Sequence, residues 1–305
     1  MARRLLLRMP IVAAVAIAVA AGAPPPTDGR PVLPAASRSA DLGLWDYSSG
    51  PHGPEHWAEL DPAFRVCGTG QRQSPIDIPA KTPPPIHNMT VSSMVTLPSA
   101  FALVPHAGKV NMATTCAVFG SCGTLKWGDD TYFFDNLHFH EASEHRRAGK
   151  PLSMEAHLVM ATAPQPKQAV AGGGAAPNST DDGRLRDGPE DRPPRKLAVL
   201  AVFLHVGQAN VVLDEVLDGL EGKAPVGVGN MWDNLLVGDS GFCSWEGSLT
   251  TPPCTEGVTW FVQGAEVAAS RSQLARFARD IHATRRGVNR PVQQMNGREL
   301  RCFGP

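Results

Sequence analysis

Asn136-Leu137-His138-Phe139-His140 is the stretch around which the rest of this 305-residue chain is organised. It continues the run Thr131 to Phe134, whose aromatic and β-branched residues are typical of a strand. Side chains two residues apart on a strand lie on the same face, so the imidazoles of His138 and His140 point the same way.

A second strand-like run, from Met154 to Met160, carries His157 with Glu155 two residues before it on the same face. Antiparallel pairing of the two strands would bring three imidazoles together beside a carboxylate. Three neutral imidazoles with one open position are typical of a catalytic zinc site. The alternative is that these are ordinary core or surface histidines, and the spacing alone does not decide between the two.

The amino-terminal residues predict an export signal rather than part of the fold. A positive segment (Arg3, Arg4 and Arg8) precedes the apolar run Ile11 to Ala21, which is too short to span a membrane, and Ala21-Gly22-Ala23 resembles a cleavage site. We therefore expect residues 1–23 to be removed, and the mature chain to be secreted or lumenal without a spanning segment. A transit peptide and an uncleaved anchor are the alternatives, and the sequence does not choose between extracellular, periplasmic-type and organelle-lumen compartments.

The charge balance argues against nucleic acid as a partner. The chain has 28 Lys and Arg against 29 Asp and Glu, a formal net charge of −1. Loss of three arginines with the signal would make this about −4, and no basic stripe is present. The sequence gives no indication of oligomeric state.

The remainder predicts a mainly β, single-domain protein. Residues 24–41 form a Pro/Ala/Ser-rich tether, and residues 42–305 contain short apolar segments punctuated by Gly and Pro. Helical periodicity predicts one amphipathic helix from about Ser270 to Ala283, and a shorter one over Val212 to Leu220. A low-complexity surface insertion interrupts the domain at about 163–196.

Export would favour disulfides among the six cysteines. Six cysteines allow 15 pairings, and the residues alone suggest only that Cys116 and Cys122, which flank a turn at Gly120, could join each other. Asn88 and Asn178 lie in glycosylation acceptor triplets, which have meaning only in an exported chain.

Several further segments carry a resemblance to a known family. They are Trp45-Asp46-Tyr47, Gly53-Pro54-Glu55-His56-Trp57, Gln73-Ser74-Pro75-Ile76-Asp77-Ile78, Gly247-Ser248-Leu249-Thr250-Thr251-Pro252-Pro253 and Asn289-Arg290-Pro291. In this order around the histidine motifs, they resemble the α-class carbonic anhydrases over roughly Leu44 to Arg298. The resemblance implies a large, twisted, mostly antiparallel sheet with few short helices and zinc at the base of a conical cleft.

The same resemblance implies a zinc lyase that interconverts CO2 and bicarbonate. His138, His140 and His157 correspond to the zinc ligands, and zinc-bound hydroxide attacks CO2 before a histidine carries the released proton away. Zn2+ is the implied cofactor and CO2 or bicarbonate the small-molecule substrate.

The remaining site residues also follow from the resemblance. Thr250 corresponds to a gatekeeper hydroxyl that donates to Glu144, and Thr251 to a residue that binds bicarbonate. Glu155 corresponds to the carboxylate that supports His157. Asn136 stands where the family usually has Gln supporting His138, so its shorter side chain leaves open whether that hydrogen bond shifts or passes through water.

The implied hydrophobic CO2 pocket is formed by Val159, Val199, Leu249, Val258 and Trp260, with plain core packing as the alternative for Val258. His106 corresponds to the proton shuttle, although Val104-Pro105 before it departs from the family pattern. Tyr47 and Lys109 are implied neighbours of the proton path.

Cys67 and Cys254 correspond to the disulfide of secreted family members, whereas Cys243 and Cys302 have no implied pairing. The rival from another class is a binding or adhesion protein on the same scaffold without catalysis, which typically lacks one or more zinc histidines. Ester hydrolysis is a third possibility, as a side activity of the same site.

Overall fold

The computed structural model describes residues 44–97, 100–105, 114–116, 120–163, 195–221, 226–229, 234–282 and 289–305. The predicted signal and tether, His106, Lys109, Asn178 and nearly all of the insertion lie outside these residues. Among the described residues, no helix is long and apolar enough to cross a membrane.

The chain is built mainly of short strands, as expected from its alternating apolar segments. The strands are β1 (Asp77–Ile78), β2 (Val95–Thr96), β3 (Ala100–Pro105), β4 (Thr114–Cys116), β5 (Thr124–Trp127), β6 (Asp130–His140), β7 (Arg146–Arg147), β8 (Lys150–Pro151), β9 (Met154–Thr162), β10 (Leu197–Val206), β11 (Val226–Gly229), β12 (Phe242–Ser248), β13 (Glu256–Gln263), β14 (Val267–Ala269) and β15 (Arg301–Phe303).

Among the residues that the structure describes, the helices are few and mostly of a single turn. They are α1 (Trp57–Leu60), a 3-10 turn (Pro62–Phe64), α2 (Val66–Thr69), α3 (Val91–Met94), α4 (Val211–Leu220) and α5 (Arg271–His282). The two longest confirm the helices that the apolar periodicity predicted.

Ser270 caps the amino-terminal end of α5. The Gln273 backbone N–H donates to Ser270 Oγ at 3.2 Å, and Gln273 Oε1 accepts from the Ser270 backbone N–H at 3.0 Å. This reciprocal pair satisfies backbone donors that the first helical turn leaves without partners. Leu274 and Phe277 on the same helix are buried in the core.

Most of the strands join one large sheet in the order β11-β3-β4-β6-β9-β10-β13-β12-β15. Its pairs are antiparallel except that β10 runs parallel to β13 and to β14. This confirms the predicted large, mostly antiparallel sheet, while the parallel pairs at β10 were not predicted. A separate three-stranded sheet has the order β1-β7-β8.

Strand β6 changes the face that it buries at a bulge. Its register with β9 shifts between Phe134 and Asn136, so that Asp135 is an extra residue without a partner on β9. Before the bulge the even-numbered Tyr132 and Phe134 lie in the main core, whereas after it the odd-numbered Leu137 and Phe139 do. The even-numbered histidines are therefore turned to the opposite face of the sheet.

Two disulfides lie wholly within the described residues. The predicted Cys67–Cys254 bond joins residues 187 positions apart, and it links α2 to the loop after β12. Cys243–Cys302, which was not predicted, joins residues that are directly paired on β12 and β15. Cys122 is also disulfide-bonded, and the side chain of Cys116 lies outside the described residues.

Replacing both Cys67 and Cys254 by Ser should lower the free energy of unfolding by up to about 5 kcal/mol, because the unfolded chain regains the entropy of a very long loop. Denaturant unfolding of the purified protein measures this loss. The matched control is the Cys243→Ser, Cys302→Ser variant, whose shorter separation of 59 residues predicts a loss smaller by about 1 kcal/mol. An equal or larger loss in the control would contradict the entropic origin.

Candidate active site

The three histidines singled out from the sequence form one cluster on the face of the sheet opposite the main core. His138 and His157 are directly paired across β6 and β9. Their ring centroids lie 5.1 Å apart, and that of His140 lies 4.6 Å from His157. One nitrogen from each ring falls within 4.8 Å of the others, a spacing at which a single metal ion could be held.

Two of the imidazoles are held by partners on their outer nitrogens. Asn136 Oδ1 lies 2.8 Å from Nδ1 of His138, a direct contact despite the short side chain. Glu155 Oε1 lies 2.9 Å from Nε2 of His157, although the angle is outside the normal range for a hydrogen bond. Both partners are oxygen acceptors, so each outer nitrogen carries the proton.

The inner nitrogens, His138 Nε2 and His157 Nδ1, then present lone pairs to each other at only 3.3 Å. Two facing lone pairs at this distance repel each other unless a cation lies between them. The tautomers set by Asn136 and Glu155 therefore fit a metal ion bound at the inner nitrogens.

Burial keeps the His138 imidazole neutral. It lowers the pKa of His138 well below its ordinary value, and the adjacent His157 and His140 lower it further against the opposing effect of Glu155. A neutral imidazole is the form that binds a metal.

Glu155 serves two histidines rather than one. It is fully buried and accepts from the His145 backbone N–H at 2.9 Å and from His145 Nδ1 at 2.7 Å, in addition to its contact with His157. Burial opposes its ionisation, but the two histidines outweigh burial and hold the pKa of Glu155 well below its usual range. No role was predicted for His145, although it directly follows Glu144 in the sequence.

Glu144 lies beside the cluster in a second buried network. Its Oε1 accepts from the Arg290 backbone N–H at 3.0 Å, and its Oε2 lies 3.4 Å from His140 Nε2. Oε2 accepts no hydrogen bond from any described residue. The predicted donation from the buried Thr250 is thus not formed in this structure, and its role in catalysis stays a prediction.

The Arg290 side chain brings the distant sequence motifs together around Glu144. Its guanidinium donates to Gln73 Oε1 at 2.9 Å, to the Ser74 carbonyl at 2.8 Å and to the Cys67 carbonyl at 2.9 Å. It also lies 5.7 Å from the ring centre of Trp57. Burial lowers the pKa of Arg290 to about 10, against the effect of the nearby Glu144 carboxylate. These motifs carry the family resemblance, but no role was predicted for Arg290.

The residues predicted to form the CO2 pocket lie together on the histidine face of the sheet. Trp260 and Val258 are almost fully buried there, and the Trp260 ring centre lies 5.0 Å from that of His157. The other members belong to, or pack against, the same apolar cluster: Val159, Val199 and Leu249.

For four other predicted residues, the structure shows no contact with the histidine cluster among the residues that it describes. His106 and Lys109 lie outside the described residues. Tyr47 is buried between two tryptophans, with its ring centre 5.5 Å from Trp45 and 5.6 Å from Trp57. Thr251 is partly buried, and its carbonyl accepts from the Cys254 backbone N–H at 2.8 Å.

Comparisons with known proteins agree with this geometry. Residues 52–179 and 186–303 match the family model described as eukaryotic-type carbonic anhydrase. Carbonic anhydrases of Nostoc sp. (strain PCC 7120) and Klebsiella pneumoniae are each 31% identical to this chain. Each match covers 83% of this chain, and it covers 84% of the Nostoc protein and 89% of the Klebsiella protein. The α-carbonic anhydrase of Thermovibrio ammonificans, solved with the inhibitor sulfanilamide, is 29% identical with a TM-score of 0.62, covering 84% of this chain and 98% of that one. Because the family model spans most of the sequence and the fold agrees, the chain belongs to the eukaryotic-type carbonic anhydrase family.

Proposed function

We propose that this protein catalyses the zinc-dependent, reversible hydration of CO2 to bicarbonate and a proton. The observation that carries the proposal is the pair of inner nitrogens of His138 and His157, 3.3 Å apart, with both outer nitrogens facing oxygen acceptors. Family membership supports CO2 hydration in general, and the roles of individual residues are the proposal.

His138, His140 and His157 would hold the zinc ion. Zinc, when bound, supplies a water whose pKa is lowered to near neutrality, an established property of zinc in carbonic anhydrases. Asn136 and Glu155 keep the protons of His138 and His157 on the outer nitrogens, so the inner ones remain available as ligands.

Glu144 and Thr250 orient the attacking oxygen. Ionised Glu144 can only accept hydrogen bonds, and its buried Oε2 needs a donor, which the Thr250 hydroxyl would supply. With its one hydrogen directed at Glu144, the Thr250 hydroxyl can only accept a hydrogen bond from the attacking oxygen, which then turns a lone pair toward CO2. Thr251 adds a hydrogen bond to the bicarbonate product.

The apolar side of the site holds CO2, which has no net dipole. Val159 and Val199 are directly paired across β9 and β10, and the next cleft-facing pair is His157 with Ala201. Their small side chains leave space for a triatomic substrate next to the histidines. Leu249, Val258 and Trp260 complete this apolar wall.

We also propose that His106 relays the released proton to buffer, with Tyr47 and Lys109 near its path. An imidazole suits this task because its ordinary pKa is close to the working pH.

We also propose that residues 1–23 are removed as a signal peptide and that the mature protein is secreted or lumenal. The two disulfides support this, because disulfides persist in oxidising compartments. Asn88 is exposed, as a glycosylation acceptor must be.

The first test is stopped-flow CO2 hydration by the purified protein, with metal content measured on the same sample. We expect about one zinc per chain, as a single three-histidine cluster predicts, and activity that is lost on adding a chelator or sulfanilamide, the inhibitor bound in the Thermovibrio ammonificans structure. Absence of both zinc and activity would favour the non-catalytic binding protein instead.

His157→Ala should abolish zinc retention and CO2 hydration together, because it removes one of three ligands and leaves Glu155 with one histidine fewer. Metal analysis and stopped flow measure the two effects. His52→Ala is the matched control, since His52 is exposed and the hydrogen bonds that its carbonyl accepts from Asp46 and Trp57 are kept in the variant. Full activity in His157→Ala would show that the ligand set is wrong.

Glu144→Gln should retain zinc but lower kcat on the order of a hundredfold, because an amide can donate where the site needs an acceptor and misorients the attacking oxygen. Steady-state kinetics on zinc-loaded protein measures this loss, and exposed Glu55→Gln is the control. Loss of zinc from Glu144→Gln would instead assign Glu144 to holding the metal site.

His106→Ala should slow turnover at low buffer concentration, and added imidazole should restore it by replacing the missing proton carrier. Turnover measured across a buffer series tests this expectation. Identical rates for the variant and the unmodified protein throughout the series would remove His106 as the shuttle.

A further inference from the structure

The bulge in β6 places two consecutive side chains in contact. Asn136 Nδ2 donates to Asp135 Oδ2 at 3.0 Å. On a regular strand, neighbours in sequence point to opposite faces and cannot meet in this way. The contact exists because Asp135 is the extra residue between Phe134 and Asn136.

We infer that Asp135 is a positioning residue for His138, acting through the side-chain amide of Asn136. The inference rests on the proposed zinc function of that histidine. Two contacts connect Asp135 to His138 through the Asn136 side chain. Asn136 Nδ2 donates to Asp135 Oδ2 at 3.0 Å, and Asn136 Oδ1 lies 2.8 Å from His138 Nδ1.

Asp135 is needed because the Asn136 amide alone could adopt either of two orientations. The two ends of the Asn136 side chain have nearly the same shape but opposite hydrogen-bonding character. With the amide reversed, its NH2 group would face His138, whose Nδ1 would have to accept, and the imidazole proton would move to the inner Nε2. That tautomer cannot bind a metal at Nε2.

A carboxylate beside the amide excludes the reversed orientation. Ionised Asp135 has acceptors only, so it binds the NH2 end of Asn136 and leaves Oδ1 for His138. The amide is planar and rigid, which means that fixing one end fixes the other.

Asp135 also acts on a nearby cation. Burial lowers the pKa of Arg195, and the Asp135 carboxylate opposes that effect. Pairing with Arg195 is the alternative role for Asp135, and the experiment must separate that role from an effect on His138.

The experiment measures the rate at which zinc-loaded protein releases zinc to a chromogenic chelator. Asp135→Ala should accelerate release about tenfold, toward the lower end of the effect of removing a hydrogen-bonding partner of a metal ligand. Arg195→Ala is the matched control: it removes the cation on which Asp135 also acts and leaves the hydrogen bond from Asn136 to Asp135 in place, so release should stay within about twofold of the unmodified protein, far below the change expected for loss of a ligand's partner. Asp135→Val, suited to a strand, replaces Asp135→Ala should the latter fail to fold.

A double-mutant cycle identifies the route of the effect. Asn136→Ala should itself accelerate release, and Asp135→Ala should add nothing in that background because the connecting amide is gone. A full additional effect in that background would overturn the inference, as would unchanged release in Asp135→Ala or equally accelerated release in Arg195→Ala and Asp135→Ala. Failure of the unmodified protein to bind zinc would instead overturn the proposed function, so the two failures are distinguishable.

Discussion

One extra residue in β6 is the constraint on which the site depends. A strand with strict alternation would place Tyr132, Phe134, His138 and His140 on a single face, so either the aromatic rings or the imidazoles would be on the wrong side of the sheet. The bulge at Asp135 resolves this conflict within one strand. Aromatic residues enter the core before it, and histidines face the cleft after it. The same irregularity brings Asp135 beside Asn136, so one backbone feature both turns the histidines and supports the first of them.

The polar groups behind the histidines explain why buried charge is tolerated here. Glu155 is fully buried, yet it receives a backbone donor and two imidazole contacts. Buried Arg290 is satisfied by three oxygens from the Gln73 and Cys67 segments, while its own backbone holds Glu144. Burying charge is costly unless it is paired and hydrogen-bonded, so each network stabilises the fold only in its complete form. Completing the Arg290 network therefore requires that sequence motifs far apart in the chain come together in the fold.

Local periodicity made the strand, its two cleft-facing histidines and helix α5 predictable from sequence, because each depends on residues a few positions apart. The Cys67–Cys254 disulfide followed from the family resemblance. By contrast, the bulge can be located only once the register between two strands is known. Its one trace in the sequence is that the core-facing apolar residues of β6 change from even-numbered to odd-numbered positions. The bridging role of Glu155 to His145, the pairing of Cys243 with Cys302 and the parallel β10–β13 pair arise from contacts between distant segments. No local pattern encodes these contacts, so a single sequence cannot reveal them.

The precision of the site derives from the core on the other side of the sheet. Each cleft-facing histidine of β6 has a fully buried neighbour, Leu137 or Phe139, that faces the core, and Phe139 packs edge-on against Phe277 of helix α5 with ring centres 5.8 Å apart. Close-packed interiors deform little, so backbone positions fixed by these contacts fix the imidazoles as well. Asn136 and Glu155 then have only to set ring rotation and tautomer. Placement by the core and orientation by polar partners are therefore separable, and the second can vary without loss of the fold.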